Sequence, residues 1–392
     1  MEMGSSLVLL LSIVLILLLI RKLHPSIAVF LGALFLSVLS LPIQEIPDIL
    51  LRSILNWETL RLMIIVVSAM TLSAAMEVRG LLANLAKAME AFGPKKAMHI
   101  VPAMIGFVSM PAGALVSAAA VKGTAKRLKL KPEEATLINY WFRHVWEFSM
   151  PVYQSIVIVS VVLGWQLSSV FLTLAPLTFL AILIGLPMSL KILKDRDGGG
   201  GRFPLIEFIK AAWPILLLVV LILGGVEPAL VFPSSLILLL VQQKFKPREL
   251  VKPLKYGLNP KILFSLYSIM VFKFIIEASE SAMRLFEDIG TLGVPMSLML
   301  VVLPFILALG GGSSIALAGL SFPLLVPIIS EMGGKALMLA YASGMVGLLL
   351  SPLHLCLILS TEFFKAKLSK VYGYVLPPVL AMEVAALLLF IL

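Results

Sequence analysis

The sequence predicts an all-α polytopic membrane protein with two inverted repeats, about ten transmembrane helices and two re-entrant helical hairpins. Three observations carry this prediction: a series of long apolar runs, interruptions inside some of them, and basic residues gathered in alternate loops. Apolar residues make up 60% of the chain and charged residues 13%, and the mean hydropathy is +1.08. These values exclude a soluble protein and predict a location in the cell membrane.

The charge and the cysteine content exclude two other classes of protein. The net charge of +10 is spread over short loops between apolar runs, which is typical of membrane topology rather than of a nucleic-acid partner. Cys356 is the single cysteine and lies inside an apolar run, so no disulfide framework is expected. The four histidines are scattered along the sequence, and we therefore expect no metal site built from them.

The apolar runs divide the chain into two halves. They fall at residues 4–20, 25–41, 60–78, 97–121, 135–163, 167–189, 205–223, 228–242, 259–277, 294–330, 335–360 and 371–392. The first run is followed by Arg21 and Lys22 instead of a cleavage site, so we expect it to be retained. Residues 43–57 are mildly amphipathic and predict an interfacial helix. Residues 195–203 hold four consecutive glycines and predict a cytoplasmic linker between halves 1–194 and 204–392.

The two halves repeat the same order of elements. At an offset of 201 residues Pro151 falls on Pro352, and the chain breakers near residues 110–113 fall on those near 311–314. Each half therefore has three spans, one broken apolar segment, one long helix with a Ser/Pro break, and a final span. The predicted hairpins are residues 97–127 and 294–330, and the predicted broken helices are residues 134–163 and 335–360.

The second hairpin has the clearest interruption. Residues 310–314 read Gly-Gly-Gly-Ser-Ser at the centre of an apolar run. Each flanking arm has roughly 15 residues and reaches about 23 Å at the helical rise, which is short of the roughly 30 Å hydrocarbon core. The pattern predicts a re-entrant hairpin whose tip lies near the bilayer midplane, where transporters place their binding sites.

The distribution of basic residues sets the expected topology. With both hairpins re-entrant, each half crosses the membrane five times and the second half is inverted. Placing both termini outside puts 24 of the 31 Lys and Arg residues on cytoplasmic loops. If residues 97–121 crossed fully, the basic cluster at residues 122–131 would lie outside, which the positive-inside rule opposes.

Four helix interruptions predict the binding residues. A broken helix offers free N–H groups to an anion and free carbonyl groups, with serine hydroxyls, to Na⁺. Close helix packing is the alternative use of the same small residues. The candidate substrate-binding residues are Pro111, Ala112, Gly113, Arg143, Gly311, Gly312, Ser313, Ser314, Pro352 and His354. The candidate ion-coupling residues are Ser109, His144, Glu147, Ser149 and Ser351, with Na⁺ as the coupling ion near Ser149 and Ser351.

Residues 139–147 form the densest polar cluster inside a span. Arg143 can meet an anionic substrate because a guanidinium matches a carboxylate in two hydrogen bonds. It can instead pair with Glu147, four residues later on the same helical face, or extend to the membrane interface. His144 can carry a proton or serve as a packed hydrogen-bonding group. Lys273 and Glu277, again four apart, read as a structural pair.

No enzyme signature is present. The sequence has no H-E-x-x-H, no P-loop and no G-x-S-x-G in a usable context. We therefore expect neither an enzyme nor an organic cofactor. Since no ATP-binding domain is recognisable, any pumping would use an ion gradient.

The order of elements resembles the ion transporter superfamily. The resemblance lies in residues 110–117 and 310–318 at the tips, with Ser149-Met150-Pro151 and Ser351-Pro352 at the breaks. That superfamily includes divalent anion/sodium symporters, citrate and gluconate permeases and arsenite antiporters. Within it, Asn-Tyr-Trp-Phe-Arg-His at residues 139–144, followed by Glu147, is similar to an uncharacterised integral membrane family, domain of unknown function 401.

This resemblance implies an elevator transporter that works as a homodimer. The first, second and sixth elements of each half would form the scaffold, and the third span, hairpin and broken helix would form the moving domain. The tips Pro-Ala-Gly and Gly-Ser-Ser depart from the Ser-Asn-Thr tips of the dicarboxylate symporters, which speaks against dicarboxylate specificity and the sodium sites of those symporters.

The function expected from the sequence is secondary active transport of a small organic or inorganic anion, coupled to Na⁺ or H⁺. Ser313, Ser314 and backbone N–H groups would bind the substrate. A cation/proton antiporter that titrates Glu147 and His144 is the alternative within transport. A passive anion channel, which can also use re-entrant hairpins, is the alternative from another class.

Overall fold

The computed structural model of the chain describes residues 4–90, 92–107, 113–194, 202 and 204–392. These residues form twenty α-helices and two short 3₁₀ segments, and no strand occurs among them. The prediction of an all-α chain is therefore confirmed over this part of the sequence.

The first half of the chain holds ten of these helices and both 3₁₀ segments, Ile43–Glu45 and Val145–Phe148. The helices are α1 (Ser5–Ile20), α2 (Pro25–Ser40), α3 (Ile46–Leu55), α4 (Trp57–Val78), α5 (Leu81–Glu90), α6 (Pro94–Gly106), α7 (Gly113–Arg127), α8 (Pro132–His144), α9 (Gln154–Leu163) and α10 (Leu167–Leu193).

The second half holds the remaining ten helices. They are α11 (Leu205–Leu223), α12 (Pro228–Gln242), α13 (Pro247–Gly257), α14 (Pro260–Ser279), α15 (Ser281–Thr291), α16 (Met296–Gly311), α17 (Ser314–Met332), α18 (Gly334–Leu350), α19 (Leu355–Phe364) and α20 (Leu368–Ile391). Both halves thus contain a packed helix pair, α6 with α7 and α16 with α17, followed by a helix that breaks and resumes.

Seven stretches of the described chain are long and apolar enough to cross a membrane, which establishes a multi-pass membrane protein. They are Trp57–Val78, Leu167–Leu193, Leu205–Leu223, Pro247–Ser279, Ser314–Met332, Gly334–Phe364 and Leu368–Ile391. Five further apolar helices of this part of the chain are shorter. The count of ten crossings therefore stays a prediction.

One arm of the second hairpin is longer than the sequence analysis expects. Helix α16 has 16 residues, close to the expected length, whereas α17 has 19 and continues through Pro323 and Pro327 to Met332. At the helical rise α17 is about 28 Å long, so by length it can cross the hydrocarbon core. The helix ends at Met332, because the next residue, Gly333, has a φ of +73° that a helix cannot continue.

Local sequence chemistry explains where the helices begin. Asn56 and Asn259 each accept a hydrogen bond from the backbone N–H two residues later, at 2.8 and 3.0 Å. His24 caps α2 in the same way, and Pro25 occupies the first helical position. Side-chain caps and proline at the first turn are common starts because they satisfy, or remove, otherwise free N–H groups.

The interrupted elements of one half pack against those of the other. Helix α17 packs on α9, and α19 packs on both α7 and α8. Helices α4 and α17 are mostly buried, whereas α10, α11 and α20 expose most of their apolar surface. The exposed helices suit a lipid environment, and the interior of the molecule contains the helix breaks.

Candidate substrate and ion site

The tip of the second helix pair consists of Gly312 and Ser313 between α16 and α17. Gly312 has a φ of +61°, and a Cβ atom there would lie 2.7 Å from the Cβ atom of Leu353. Glycine is therefore required both by the left-handed conformation and by the close approach of the second break. The hydroxyl of Ser313 accepts a hydrogen bond of 3.2 Å from the N–H of Ala316, which caps α17.

A cavity of about 420 Å³ lies in front of this tip. Gly311, Gly312 and Ser313 line one side of it, and Leu353 and Leu355 from the second break line another. The remaining walls come from α1, α2, α14 and α17, and their lining residues are Ile20, His24, Pro25, Ser26, Val29, Ile262, Ser265, Ile269, Ile315, Ala316 and Leu320. The cavity is largely apolar, with a few polar groups beside the N-terminus of α17, as small-molecule sites are.

His24 is a titratable group of this cavity that lies in the loop between α1 and α2, outside the spans. Its Nδ1 atom lies 2.7 Å from the hydroxyl of Ser26. Loss of hydration, followed by the charge of Lys261, lowers the pKa of His24 below its ordinary value of 6.5. The ring is therefore neutral at pH 7, and the cavity gains a positive charge only under acid conditions.

Arg143 is buried at the end of α8, with 4% of its surface exposed. Its guanidinium donates a hydrogen bond of 3.3 Å to the hydroxyl of Tyr153, and that hydroxyl donates to the carbonyl of Gly106 at the end of α6. The Nε atom of Arg143 has no hydrogen-bond partner among the described residues. The structure therefore favours neither alternative use of Arg143, because its hydrogen-bond partner is Tyr153 rather than Glu147 and its side chain is buried instead of exposed.

The geometry of the chain explains why Arg143 does not pair with Glu147. Helix α8 ends at His144, and a 3₁₀ segment carries Glu147. A spacing of four residues places two side chains on one face only in a continuous α-helix. The carbonyl of Glu147 accepts a 2.9 Å hydrogen bond from the hydroxyl of Tyr341, which fixes this segment against α18.

His144 and His354 meet between the two broken helices, with their Nε2 atoms 3.0 Å apart. Both rings are buried. The Nδ1 atom of His144 lies 2.6 Å from the carbonyl of Tyr140, and the Nδ1 atom of His354 lies 3.1 Å from the carbonyl of Gly312. His354 therefore links the tip of the second helix pair to the first broken helix.

Two further groups complete this cluster. The sulfur of Cys356 and one ring nitrogen of each histidine all lie within 4.8 Å of one another. A carboxylate oxygen of Glu147 lies 3.8 Å from Nε2 of His144. Two of the four histidines are therefore close in space although they are scattered along the sequence, because the packing of α19 on α8 joins residues that are 210 positions apart.

The serines at the two breaks have different partners. The hydroxyl of Ser149 lies 2.7 Å from that of Thr178, whereas the hydroxyl of Ser351 donates a 2.7 Å hydrogen bond to the carbonyl of Leu309. The latter hydroxyl also accepts from the N–H of Leu353. Ser149 thus anchors the first break to α10, and Ser351 anchors the second break to α16.

The remaining predicted residues divide into three groups. Ser109, Pro111 and Ala112 lie outside the described residues. Gly113 is buried at the start of α7, and Ser314 begins α17. Pro352 is exposed at the second break.

The structure adds functional candidates that sequence reasoning missed. Tyr153 and Cys356 lie among apolar residues and carry no site prediction, although Tyr153 ends the first break and Cys356 lies two residues after the second, which ends at His354. That position next to a break is the signal that could have identified them.

A second cavity of about 910 Å³ lies against α14, α15 and α17 and is lined in part by the carboxylates of Glu277, Glu280, Glu287 and Glu331. Beside it, the ammonium of Lys273 lies 2.5 Å from Glu58 and 3.4 Å from Glu277. The pair of Lys273 with Glu277 is therefore present, and Glu58 joins it from α4. This cluster joins α14 to α4 beside the cavity.

Comparison with known proteins gives a family and a fold. The model of a family described as "Protein of unknown function (DUF401)" matches residues 3–392. No curated protein matches the chain. The structure is similar to one described as "Crystal structure of the Alcanivorax borkumensis YdaH transporter reveals an unusual topology", with a TM-score of 0.63, 14% identity, and coverage of 87% of this chain and 86% of that chain. At this identity the similarity concerns the fold.

Proposed function

Because the chain belongs to the DUF401 family and has the fold of a membrane transporter, we propose that it is a secondary active transporter of a small organic or inorganic anion. Transport is coupled to Na⁺ or H⁺ and proceeds by an elevator movement. The protein is a member of the ion transporter superfamily, works as a homodimer and is not an enzyme.

The observation that carries this proposal is the opening of the α17 N-terminus into the cavity of about 420 Å³. The free N–H groups and positive end of a helix favour an anion. Ser313 supplies a hydroxyl that lines the cavity at the same point, and Ser314 follows it as the first residue of α17. The cavity is of a size for a small ligand, at the lower end of the usual range.

Arg143, the residue before His144, also supports the choice of an anion. It is a buried cation whose hydrogen-bonded neighbour, Tyr153, is neutral. A buried charge without a hydrogen-bonded counter-charge is costly. An anion that approaches Arg143 during the transport cycle would offset this cost, so Arg143 acts as the counter-charge.

In the proposed elevator movement, the broken elements of both halves belong to one moving domain. In this proposal the third span, helix pair and broken helix of each half move together, and the first, second and final elements form the scaffold. Na⁺ as the coupling ion would bind near Ser149 and Ser351. Both termini lie outside the cell and the basic loops are cytoplasmic.

A cation/proton antiporter is the second candidate, because the larger cavity of about 910 Å³ is lined by four carboxylates. A negative vestibule favours cations over anions. The two candidates differ in which species enters the vesicles when an ion gradient is imposed: an anion for the first candidate, and a cation in exchange for protons for the second.

Flux into proteoliposomes tests the proposal. Uptake of radiolabelled small anions is measured with an inward Na⁺ gradient, an inward H⁺ gradient or neither. The proposed function expects saturable, gradient-dependent uptake of at least one anion, and loss of that uptake in the double variant Ser313→Ala, Ser314→Ala.

Ser234→Ala provides the matched control, because Ser234 is exposed on α12 and its hydroxyl bonds within its own helix. Cation-driven proton flux without anion uptake would favour the antiporter. Unchanged anion uptake in the double variant would reject the binding role of the tip.

A further inference from the structure

The contact between His144 and His354 brings two ring nitrogens face to face, and each of them is a hydrogen-bond acceptor in a neutral ring. Each Nδ1 atom faces a backbone carbonyl, at Tyr140 and at Gly312. A carbonyl can only accept, so both Nδ1 atoms carry the hydrogen and both Nε2 atoms of neutral rings present lone pairs. Two lone pairs 3.0 Å apart repel each other, and a cation held between them converts that repulsion into two bonds.

The surrounding groups indicate which cation fits. Cys356 adds a sulfur donor within 4.8 Å of one ring nitrogen of each histidine, and Glu147 adds an oxygen donor 3.8 Å from His144 Nε2. Ligands about 2.0–2.3 Å from a tetrahedral ion lie roughly 3.3–3.8 Å from one another. The 3.0 Å between the two nitrogens and the 4.8 Å limit for the group with the sulfur bracket this range for three ligands. Glu147 is close to His144 alone and would have to rotate toward the other two ligands to complete the coordination.

The outer contacts of the two histidines have the form found around bound metals. Metal-ligating histidines almost always donate the second ring N–H to a carbonyl or carboxylate, which fixes the tautomer and the orientation of the ring. Both rings here do so. The carbonyl of Glu147 is held by the hydroxyl of Tyr341, 2.9 Å away, so three of the four donor residues have a positioning contact.

The charges also balance for a divalent ion. His144 and His354 contribute no charge as ligands, while a thiolate at Cys356 and the carboxylate of Glu147 each contribute one negative charge. A divalent ion with this set has no net charge, which suits a buried position. Two nitrogens and one sulfur favour borderline and soft ions over Na⁺, Mg²⁺ or Ca²⁺, which prefer oxygen.

We propose that His144, His354 and Cys356, with Glu147 as the fourth ligand, bind one divalent transition-metal ion of the zinc class. The ion joins the first broken helix to the second, and through His354 to the carbonyl of Gly312 at the hairpin tip. Metal binding therefore stabilises one arrangement of the tip relative to the first half. This inference goes beyond anion carriage and does not depend on it.

Metal titration of the purified, chelator-treated full chain tests the proposal, with Co²⁺ as the spectroscopic probe. We expect one Co²⁺ per chain, with the visible bands of a tetrahedral site and a thiolate-to-metal charge-transfer band, displaced by one equivalent of Zn²⁺ and not by Mg²⁺. His354→Gln should weaken binding by at least about 100-fold, the upper end of the loss caused by removing an outer-shell partner. Cys356→Ser should abolish the charge-transfer band.

His99→Gln is the matched control, because His99 is also buried but bonds to Ser189, away from the cluster. It should bind Co²⁺ as the unaltered chain does. If His354→Gln does not fold, X-ray absorption of the Zn²⁺-loaded unaltered chain gives the ligands directly, and two nitrogens, one sulfur and one oxygen are expected.

Two results would overturn the metal site. One is Co²⁺ binding that is unchanged in the double variant His144→Gln, His354→Gln. The other is no stoichiometric Co²⁺ binding together with one bound proton shared by the rings, seen in ¹⁵N NMR of labelled histidine. Neither result bears on anion uptake, which is measured separately.

Discussion

The two helix breaks occupy equivalent places in the chain but differ in their access to space. All five residues of the first break, 149–153, are buried. In the second break, Pro352 and Leu353 are exposed while Ser351 and His354 are buried. Leu353 lines the cavity in front of the hairpin tip.

Both breaks are held by the helix pair that precedes them. The first is held to α6 by the hydroxyl of Tyr153, which bonds to the carbonyl of Gly106. The second is held to α16 by the hydroxyl of Ser351, which bonds to the carbonyl of Leu309. These contacts satisfy carbonyls freed near the ends of the helices, as a buried helix end requires. The first break is therefore enclosed and bonds to the buried Arg143 of α8 through Tyr153, whereas the second break faces the cavity of about 420 Å³ through Leu353.

The largest expected effect comes from removing the charge of Arg143, which bonds to the first break through Tyr153. Arg143→Gln should lower anion uptake by about 30-fold or more, because losing one partner of a buried charge pair costs about 2–5 kcal/mol. Arg143→Lys should recover only part of the activity, since an ammonium lacks the planar fork. Arg284→Gln, at an exposed arginine paired with Glu280, is the control. Wild-type uptake in Arg143→Gln would show that the first break carries no substrate charge.

The next effect concerns the space at the second break. Gly312→Ala introduces a Cβ atom 2.7 Å from Leu353, whereas Gly164→Ala, with a φ of +67°, meets nothing within 4 Å. Both changes cost about 1–2 kcal/mol for the left-handed conformation, and crowding should add about 1–3 kcal/mol at Gly312. Thermal unfolding in detergent should therefore rank Gly312→Ala below Gly164→Ala. Equal melting temperatures would show that the tip separates from Leu353 without cost.

A smaller effect distinguishes the hydroxyls that serve the two breaks. Tyr153→Phe leaves a buried carbonyl and a buried guanidinium without this partner and should cost about 1–3 kcal/mol of stability. Tyr372→Phe removes only a 3.1 Å hydrogen bond to the carbonyl of Leu350, before the second break. Because Tyr372 is only part-buried, water can replace its hydroxyl. A larger decrease in melting temperature in Tyr372→Phe than in Tyr153→Phe would contradict this argument from burial.

The smallest effect is a pH dependence at the cavity. The pKa of His24 lies below 6.5 in the folded protein, so its protonation begins only as the pH falls below that value and by itself lowers stability there. A bound anion gains from the new charge, and its affinity should rise up to about fivefold on acidification, which corresponds to about 1 kcal/mol.

His24→Asn keeps a good capping residue for α2 and should bind the anion with no such rise. Isothermal titration calorimetry between pH 5 and 7.5 measures the anion affinity of the His24→Asn variant and of the unaltered protein. An identical acid-induced rise in both would place the titrating group elsewhere.

Local sequence chemistry is sufficient to identify the class of the protein and the places where its helices stop. Glycine at 312, serine at 313 and the prolines at 151 and 352 act on the backbone within one or two turns, so their effect can be read without knowing the rest of the fold. The apolar runs likewise identify a membrane protein, because lipid acts on each segment separately.

Which side chains meet depends on the packing of the whole chain. His144 and Cys356 come from opposite halves of the chain, and Arg143 turns to Tyr153 instead of to Glu147. The length of α17 and the burial of Arg143 also depend on neighbours that are distant in sequence. Such contacts follow from the packing of α19 on α8 and of α17 on α9, and the local chemistry of a segment contains no information about its packing partner.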